Sequence, residues 1–199
     1  MIDDPEYIEG QTPLDPDELD GLKHPHVTTR GELDQLEQAN IENGLVWLSR
    51  QRSPDILTDG FARKLHKQLL GDVWTWAGSY RLTEKTIGID PLQISVQLTT
   101  LFEDVRYWVV HKTYPPIEAA IRFHHRLVSI HPFANGNGRF SRIMVDALLE
   151  DVFDAGPIDW GGGYELQHMN DRRQQYIAAL RAADAGDYAL LFQFVGYMP

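Results

Sequence analysis

The chain of 199 residues contains no cysteine, which excludes disulfide bonds and thiolate catalysis. It also has no apolar run that approaches the ~20 residues of a membrane-spanning helix, so we expect no membrane segment. Basic residues are few, because 18 lysines and arginines stand against 29 aspartates and glutamates, for a formal net charge of −11. A broad nucleic-acid interface needs a basic surface. The charge therefore argues against direct nucleic-acid binding, although it allows a local anion pocket.

The first 25 residues differ in composition from the rest of the chain. They hold four prolines among many acidic residues, which predicts an extended arm. The first ten residues have no apolar core, so we expect no signal peptide and a cytoplasmic location. No linker rich in glycine, serine and proline divides residues 26–199, and a hydrophobic content of 43% suffices for one core. We therefore predict an arm over residues 1–25 and a single domain over residues 26–199.

Helical periodicity dominates the domain. Capping residues, prolines and apolar spacing predict helices over about 30–50, 59–70, 91–110, 116–130, 139–149, 164–183 and 187–195. Glycine and β-branched residues break this period after Trp74, and Leu82 to Ile89 predict a short β-hairpin. The predicted fold is mainly α with one small β element.

The most informative segment is His131 to Arg142, which reads HPFANGNGRFSR. Gly136 and Gly138 allow the backbone to turn sharply and to approach a ligand closely. The residues after Gly138 predict a helix, and a helix N-terminus attracts anions. Arg139 and Arg142 are three residues apart on that helix, so they can grip adjacent phosphates. The segment is not a P-loop, because it lacks GxxxxGK[ST].

The histidine that opens this segment is the candidate general base. An unperturbed histidine pKa near ~6.5 lets His131 accept a proton at neutral pH. It could thus deprotonate a hydroxyl aimed at a bound phosphate. His-Pro, Gly-Asn-Gly and surface arginines are each common in ordinary loops, but their combination in this order favours phosphate chemistry. His124, by contrast, falls on the apolar face of its helix and is interpreted as a core histidine.

The segment HPFANGNGRFSR resembles the signature of the Fic (Fido) family, HPFx[D/E]GNGRxxR. Thr28 to Leu48, Val73 to Arg81 and Phe123 to Ile130 resemble the subgroup called mobile mystery protein B. The resemblance implies a mainly α, Fic-type helical bundle with a small β-hairpin flap. It further implies a nucleotidyltransferase that moves AMP from ATP to a serine, threonine or tyrosine hydroxyl of a protein. In that reaction His131 activates the hydroxyl and pyrophosphate leaves.

The resemblance also implies roles for other positions. The nucleotide and phosphate contacts would come from Phe133, Asn135, Gly136, Asn137, Gly138, Arg139 and Arg142. The flap would hold target backbone as an added strand through Thr83, Glu84, Lys85, Thr86, Ile87 and Gly88. A later helix, with Asn170, Arg172, Arg173 and Tyr176, would lie beside the adenine, and the sequence does not choose among these four. For Asn137, a direct contact and a loop-stabilising amide are equally good interpretations.

Asn135 departs from the family pattern, which has an acidic residue at this position to hold Mg²⁺. Mg²⁺ prefers carboxylate and phosphate oxygens, and an amide oxygen is a weaker, neutral ligand. Three alternatives stay open: Asn135 suffices as a metal ligand together with phosphate and water, the enzyme is slow, or it transfers or removes another phosphate-containing group. A fourth alternative is a nucleotide-binding regulatory module without turnover.

Glu42 is the candidate inhibitory residue. Residues 38–43, QANIEN, resemble the end of the family's inhibitory motif [S/T]xxxE[G/N], whose glutamate pairs with the second arginine, here Arg142. The helical pattern alone indicates a solvent-exposed glutamate, because Glu42 points away from most of the apolar stripe. The subgroup resemblance also suggests a small helix-turn-helix protein as partner and a toxin-antitoxin setting. The sequence does not predict the oligomeric state.

Overall fold

The computed structural model describes residues 14–161 and 171–198. In these two ranges the α-helices are α1 (Pro16–Leu19), α2 (Arg30–Ser49), α3 (Asp59–Leu70), α4 (Ile94–His111), α5 (Pro116–Ile130), α6 (Asn137–Phe153), α7 (Asp171–Asp184) and α8 (Ala189–Phe194). A 3-10 turn, Pro91–Gln93, leads into α4. The prediction of a mainly α fold is confirmed. The predicted start of the helix at residue 164, and Asn170, lie outside the described residues.

Helices α2 and α3 begin where their capping residues predict. Thr29 accepts a hydrogen bond from the Glu32 backbone N–H, and the Glu32 side chain accepts one from the Thr29 N–H, which forms a capping box. At the start of α3 the Thr58 hydroxyl accepts the Phe61 N–H, which is a single N-cap bond. α6 begins at Asn137, two residues earlier than expected, because Gly136 takes a positive φ of 76° and turns the chain directly into the helix.

One hydrophobic core joins these helices, with α2 packed on α3, α5 on α6 and α7 on α8. Its largest fully buried side chains include Trp74, Phe123, Phe133 and Phe140. Two of these four come from the HPFANGNGRFSR segment, so that segment is built into the core. Within the described part of the chain, no helix is both long and apolar enough to cross a membrane.

The β-hairpin expected over Leu82 to Ile89 is replaced by an irregular loop. β pairing in the described residues is limited to two isolated bridges, Leu22 with Trp74 and Tyr80 with Phe133. The Arg81 guanidinium binds the carbonyls of Thr83 and Ile89 at the two ends of this loop. A side chain thus closes the loop where a ladder of backbone bonds was predicted.

The described part of the predicted N-terminal arm is folded. Asp15 and Glu18 form a capping box around α1, with Pro16 at its first position. The Trp76 indole N–H donates to the Glu18 carbonyl (2.9 Å), and the Lys23 N–H donates to the Val73 carbonyl (2.9 Å). Residues 14–23 therefore pack on the domain, which corrects the prediction of an extended arm for this part of the chain.

Two histidines are fully buried in the core, His66 and His124. His66 Nδ1 accepts the Gly78 N–H (3.0 Å), and Nε2 therefore donates to the Asn135 carbonyl (3.0 Å). Burial lowers the pKa of His66 from 6.5 to about 3, and it lowers the pKa of His124 well below 6.5. His66 is thus a neutral imidazole that joins the turn after Trp76 to the loop after His131.

We predict that the free energy of unfolding falls as the pH drops below 6.5. The unfolded histidines then bind protons that the buried, neutral ones do not bind. Between pH 6.5 and pH 5 the loss amounts to about 2 kcal/mol for each such histidine. Urea denaturation at pH 7.5 and pH 5 measures it. His66→Gln, which keeps an acceptor and a donor but does not titrate, should show a weaker pH dependence than the wild type. Equal pH dependence in the two proteins would contradict the buried neutral state of His66.

Candidate active site

The loop of residues 131–136 connects α5 to α6. His131 ends α5 in a left-handed conformation (φ 52°), and its N–H donates to the Leu127 carbonyl (3.1 Å). At the other end, Gly136 directs the chain into the N-terminus of α6. The loop is therefore fixed at both ends by buried helices, and the free N–H groups of α6 lie next to it.

Asn137 holds the loop through both atoms of its amide. Its Oδ1 accepts the Phe133 N–H (2.9 Å), and its Nδ2 donates to the Phe133 carbonyl (2.8 Å). The side chain is buried, with 2% of the residue exposed. Of the two interpretations of Asn137, the structure has the loop-stabilising one.

Phe133 lies in the core beneath the loop. Its ring stacks on His66 with 3.7 Å between centroids, and it meets Phe140 edge-on at 5.0 Å. The ring is fully buried. Phe133 therefore anchors the loop in the core through its contacts with His66 and Phe140.

His131 lies almost buried beside the irregular loop of residues 82–89. Its carbonyl accepts from Arg81 Nε (2.6 Å). A Cβ atom added to Gly88 would come within 2.8 Å of His131 Cβ, so the backbone at Gly88 packs directly against the histidine. Burial lowers the pKa of His131 to about 4, and the Val128 carbonyl opposes this shift. The imidazole is neutral at pH 7 and is thus in the form that accepts a proton.

The two arginines of the segment have different partners. Arg139 Nη1 forms an ion pair with Glu37 Oε2 on α2 (2.7 Å), and Glu37 Oε1 accepts the Trp74 indole N–H (2.7 Å). Burial raises the pKa of Glu37, but Arg139 and the Trp74 N–H outweigh burial and hold that pKa below its ordinary value. Glu37 is therefore a buried carboxylate whose charge is balanced by Arg139.

Arg142 is buried on α6 next to a neutral phenol. Its side chain is hydrogen-bonded to the Tyr176 hydroxyl, which also contacts His124 Nε2 (2.8 Å). Across the two described ranges, no carboxylate forms an ion pair with Arg142. Burial lowers its pKa, although a guanidinium stays charged. Arg142 is thus a buried cation with donors to offer an anion.

Gly138 lies directly above this cation. Arg142 Nη1 is 3.6 Å from the place that a Cβ atom at Gly138 would occupy. Because Gly138 has no side chain, this residue places no atom between the start of α6 and the guanidinium. On the next turn, burial raises the pKa of Asp146 to about 6, and the charge of Arg142 opposes that shift.

Glu42 lies on the exposed side of α2 and accepts a hydrogen bond from Gln38 (3.2 Å) in the same helix. In the described structure it forms no ion pair with Arg142. The glutamate that α2 brings to the segment is Glu37, which sequence reasoning missed. A signal for it exists, because Glu37 shares the buried stripe of its helix with Leu33, Ile41 and Gly44.

Asn135 uses its side-chain oxygen locally, since Oδ1 accepts the N–H of Gly136 (2.5 Å). The described residues contain no group of three or more histidines, aspartates or glutamates that could hold a metal ion.

The flap residues Thr83 to Gly88 lie in the irregular loop next to His131. Lys85 turns inward and pairs with Asp15 and Glu18, whereas Thr83, Glu84, Thr86 and Gly88 are exposed. Arg81 and His66, which hold this loop and the 131–136 loop, were not predicted as site residues. Neither belongs to the segment HPFANGNGRFSR, and their roles arise from contacts between distant parts of the chain.

Comparison with known proteins identifies this arrangement. Residues 56–149 match the model of the Fic/DOC family. The protein adenylyltransferase Fic of Nematostella vectensis is 32% identical over 176 residues, which is 85% of this chain and 39% of that protein. The chain spans less than half the length of the curated relatives that it matches.

Solved structures share the fold. The N-terminal FIC domain of Bep8 from Bartonella sp. 1-1C superposes with a TM-score of 0.69 at 14% identity, covering 88% of each chain. BepC of Bartonella tribocorum, solved with bound AMPPNP, gives a TM-score of 0.66 at 18% identity and covers 94% of this chain and 92% of its own. The family match over residues 56–149 and the shared arrangement of helices lead to one conclusion: this chain has the fold of Fic/DOC domains.

Proposed function

We propose that this chain is a protein adenylyltransferase that transfers AMP from ATP to a serine, threonine or tyrosine hydroxyl of a protein target. The observation that carries the proposal is Arg142, a buried guanidinium with a neutral phenol as partner at the start of α6. A buried cation at a helix N-terminus beneath a glycine-rich turn is suited to bind phosphate. The curated relatives named as protein adenylyltransferases, at 27–32% identity, support the same activity.

The reaction needs a proton acceptor at the other end of the loop. His131, neutral at pH 7, takes the proton of the target hydroxyl while that oxygen forms a bond to the α-phosphorus. The bond between the α-phosphorus and the bridging oxygen breaks, and pyrophosphate leaves with the electron pair. Arg142 and the N–H groups of α6 stabilise the negative charge on the phosphates. Catalysis is then mostly positioning and electrostatic stabilisation.

Magnesium fits this proposal only as an ion carried by the nucleotide. Asn135 Oδ1 is the protein oxygen in the family's metal position, and it is neutral and already accepts a hydrogen bond. Phosphate and water oxygens would supply the other ligands. When bound, the ion would offset the charge of the phosphates.

A regulatory nucleotide-binding module is the second candidate. The observation in its favour is the Glu37–Arg139 ion pair, which occupies one of the two arginines expected to hold phosphates. Such a module would bind ATP and transfer nothing. Transfer or removal of another phosphate-containing group would use the same loop and the same base.

The biological setting follows from the resemblance to the mobile mystery protein B subgroup. We propose a cytoplasmic protein with a helix-turn-helix protein as partner, in a toxin-antitoxin arrangement. Labelling activity with and without the candidate partner would test this assignment.

We expect His131→Ala to lower AMP transfer about 10²–10⁴-fold, the usual contribution of a general base. Its affinity for ATP should stay within about twofold, because the histidine lies beside the phosphate cradle. The assay is incubation with α-labelled ATP and cell lysate, with equilibrium binding of ATP in parallel. Arg142→Gln is the matched contrast and should weaken ATP binding about tenfold or more, because a buried charge-assisted bond is lost.

Wild-type labelling by His131→Ala would remove the histidine from the mechanism. Tight ATP binding by both variants, with no labelled protein from the wild type under any condition, would favour the regulatory module.

We predict that Glu42→Gln raises labelling about threefold or more, as expected when a charge that opposes the terminal phosphates is removed. Glu42 lies one turn before Leu45, and Leu45 lines a cavity between α2 and α6 together with Ile143, the neighbour of Arg142. Glu42 does not line this cavity and is exposed, so the predicted effect is a charge effect across solvent, without a contact to Arg142. The control is Glu103→Gln on the exposed face of α4. Glu37→Gln is no substitute, because it leaves Arg139 without its buried carboxylate. Equal labelling rates for wild type and Glu42→Gln would show that Glu42 is a solvent-exposed residue without an inhibitory role.

For Asn135→Asp we expect a lower Mg²⁺ concentration at half-maximal activity. A carboxylate holds this hard cation better than an amide does, and bound metal offsets phosphate charge. The measurement is a Mg²⁺ titration of labelling, made in the Glu42→Gln background so that inhibition does not mask the effect. Lower activity with aspartate at all Mg²⁺ concentrations would show that the site is built around the amide.

A further inference from the structure

The flap loop contains a buried lysine that faces the N-terminal segment. The Lys85 side chain is 3% exposed, and its Nζ lies 2.9 Å from Asp15 Oδ2 and 2.5 Å from Glu18 Oε2. Thr83 Oγ1 adds a third bond, to Asp15 Oδ2 (2.8 Å). The middle of the loop is therefore joined to residues far earlier in the chain, by two ion pairs of Lys85 and one hydrogen bond of Thr83.

The N-terminal segment is in turn fixed to the body of the domain. Gly21 accepts the Thr75 N–H (2.9 Å), and the Glu18 carbonyl accepts the Trp76 indole N–H (2.9 Å). A Cβ atom at Gly21 would come within 2.6 Å of Trp76, so the backbone at Gly21 packs directly against the indole. We call residues 14–23 the strap. It is a short bridge between the turn around Trp76 and the flap loop.

Among the described residues, a second set of side-chain anchors holds the flap loop at its ends. Arg81 binds the carbonyls of Thr83 and Ile89, and it also binds the carbonyl of His131. Between these ends, in the described structure, the strap provides the ion pairs that hold the loop. The residues between the anchors, Thr86 and Gly88 among them, remain exposed next to His131.

We propose that the strap sets the position of the flap loop relative to His131, and that Lys85 is the positioning residue through which it acts. This inference rests on the proposed transfer to a protein target. In this arrangement the Lys85 ammonium points toward the strap and pairs with Asp15 and Glu18. The exposed backbone of the flap loop then binds the protein target. The strap thereby governs how tightly a protein target is held, and it leaves nucleotide binding to the 131–136 loop.

The charges explain why this contact is specific. A lysine that is nearly inaccessible to solvent needs a carboxylate partner, and here it has two. Hydrogen bonds from Lys85 and Thr83 hold the pKa of Asp15 below its ordinary value. Asp15 is itself partly exposed, with 44% of its side chain accessible, so solvent screens its share of the interaction. Glu18, with 14% exposed, is the stronger anchor.

The test compares Lys85→Met, which keeps length and removes charge, with Lys85→Arg, which keeps the charge. Lys112→Met, on the exposed end of α4, is the control for loss of a lysine. Hydrogen exchange of residues 82–90 is measured on the free protein, and labelling kinetics are measured with ATP and a lysate protein that the wild type labels. In Lys85→Met, exchange in the loop should accelerate about tenfold or more, as expected when a local anchor is lost.

The kinetic signature separates positioning from general stability. In Lys85→Met, KM for the protein target should rise about threefold to tenfold, while KM for ATP stays within about twofold. Lys85→Arg should restore both loop protection and target KM, and Glu18→Gln should reproduce the defect of Lys85→Met. A loss of protection throughout the domain would instead make Lys85 a general stabilising residue and overturn the proposal.

Unchanged hydrogen exchange in the loop of Lys85→Met would contradict the proposed role of the strap, whatever the labelling activity. Faster exchange with an unchanged target KM would show that the strap holds the loop but does not position a target, which also overturns the proposal. Because exchange is measured without nucleotide or target, absence of labelling in every variant, including the wild type, counts against the transferase activity and is distinguishable from failure of the strap.

Discussion

The arrangement of the site depends on one buried guanidinium, that of Arg81. Only 3% of this residue is exposed, and its donors go to main-chain carbonyls: His131 (2.6 Å), Thr83 (2.9 Å), Ile89 (2.5 Å) and Ile130 (3.3 Å). Burial lowers its pKa, and the acids Asp90, Glu18 and Glu84 oppose that shift from a distance. Within the described residues it forms no ion pair, so carbonyl dipoles are the groups that solvate its charge. Fixed dipoles can do this only while the backbone around Arg81 keeps its shape.

This constraint couples two parts of the site that are far apart in the chain. The carbonyl that Arg81 binds at His131 belongs to the candidate base, and the other carbonyls belong to the end of α5 and the flap loop. His131 cannot leave its left-handed conformation without removing an acceptor from a buried charge. The ends of the loop after Arg81 are held by the same guanidinium, through the carbonyls of Thr83 and Ile89. Position of the base and shape of the loop are thus two results of the same set of hydrogen bonds.

Sequence reasoning predicted the features that depend on neighbouring residues. Thr29 and Thr58 cap the helices that they were expected to cap, and Gly136 turns the chain into α6. Those signals are local, because a cap or a positive φ is decided within four residues. The prediction of an extended N-terminal arm was wrong for its described part. The prolines and acidic residues there form a capping box around a short helix, and that helix contacts Trp76 and Lys85.

The sequence did not predict which side chains pair between distant elements of the fold. Glu37 and Glu42 lie in the same helix five residues apart, and both are plausible partners of an arginine by type. The rotation of α2 decides between them: Leu33, Ile41 and Gly44 face the core, and Glu37 faces it with them. The sequence resemblance pointed to Glu42 and Arg142, whereas the structure pairs Glu37 with Arg139. A helical projection would have placed Glu37 inside, but only the packed structure shows what it meets.

The two arginines consequently differ in the electrostatic cost of binding an anion. Arg139 is already neutralised by Glu37, and the pair is further held by the Trp74 indole, so an anion that takes Arg139 must leave a buried carboxylate uncompensated. Arg142 faces the hydroxyl of Tyr176, and an anion that takes Arg142 displaces at most a neutral hydrogen bond. An anion therefore meets a smaller electrostatic cost at Arg142 than at Arg139. Recruitment of Arg139 by an anion would first require its ion pair with Glu37 on α2 to open.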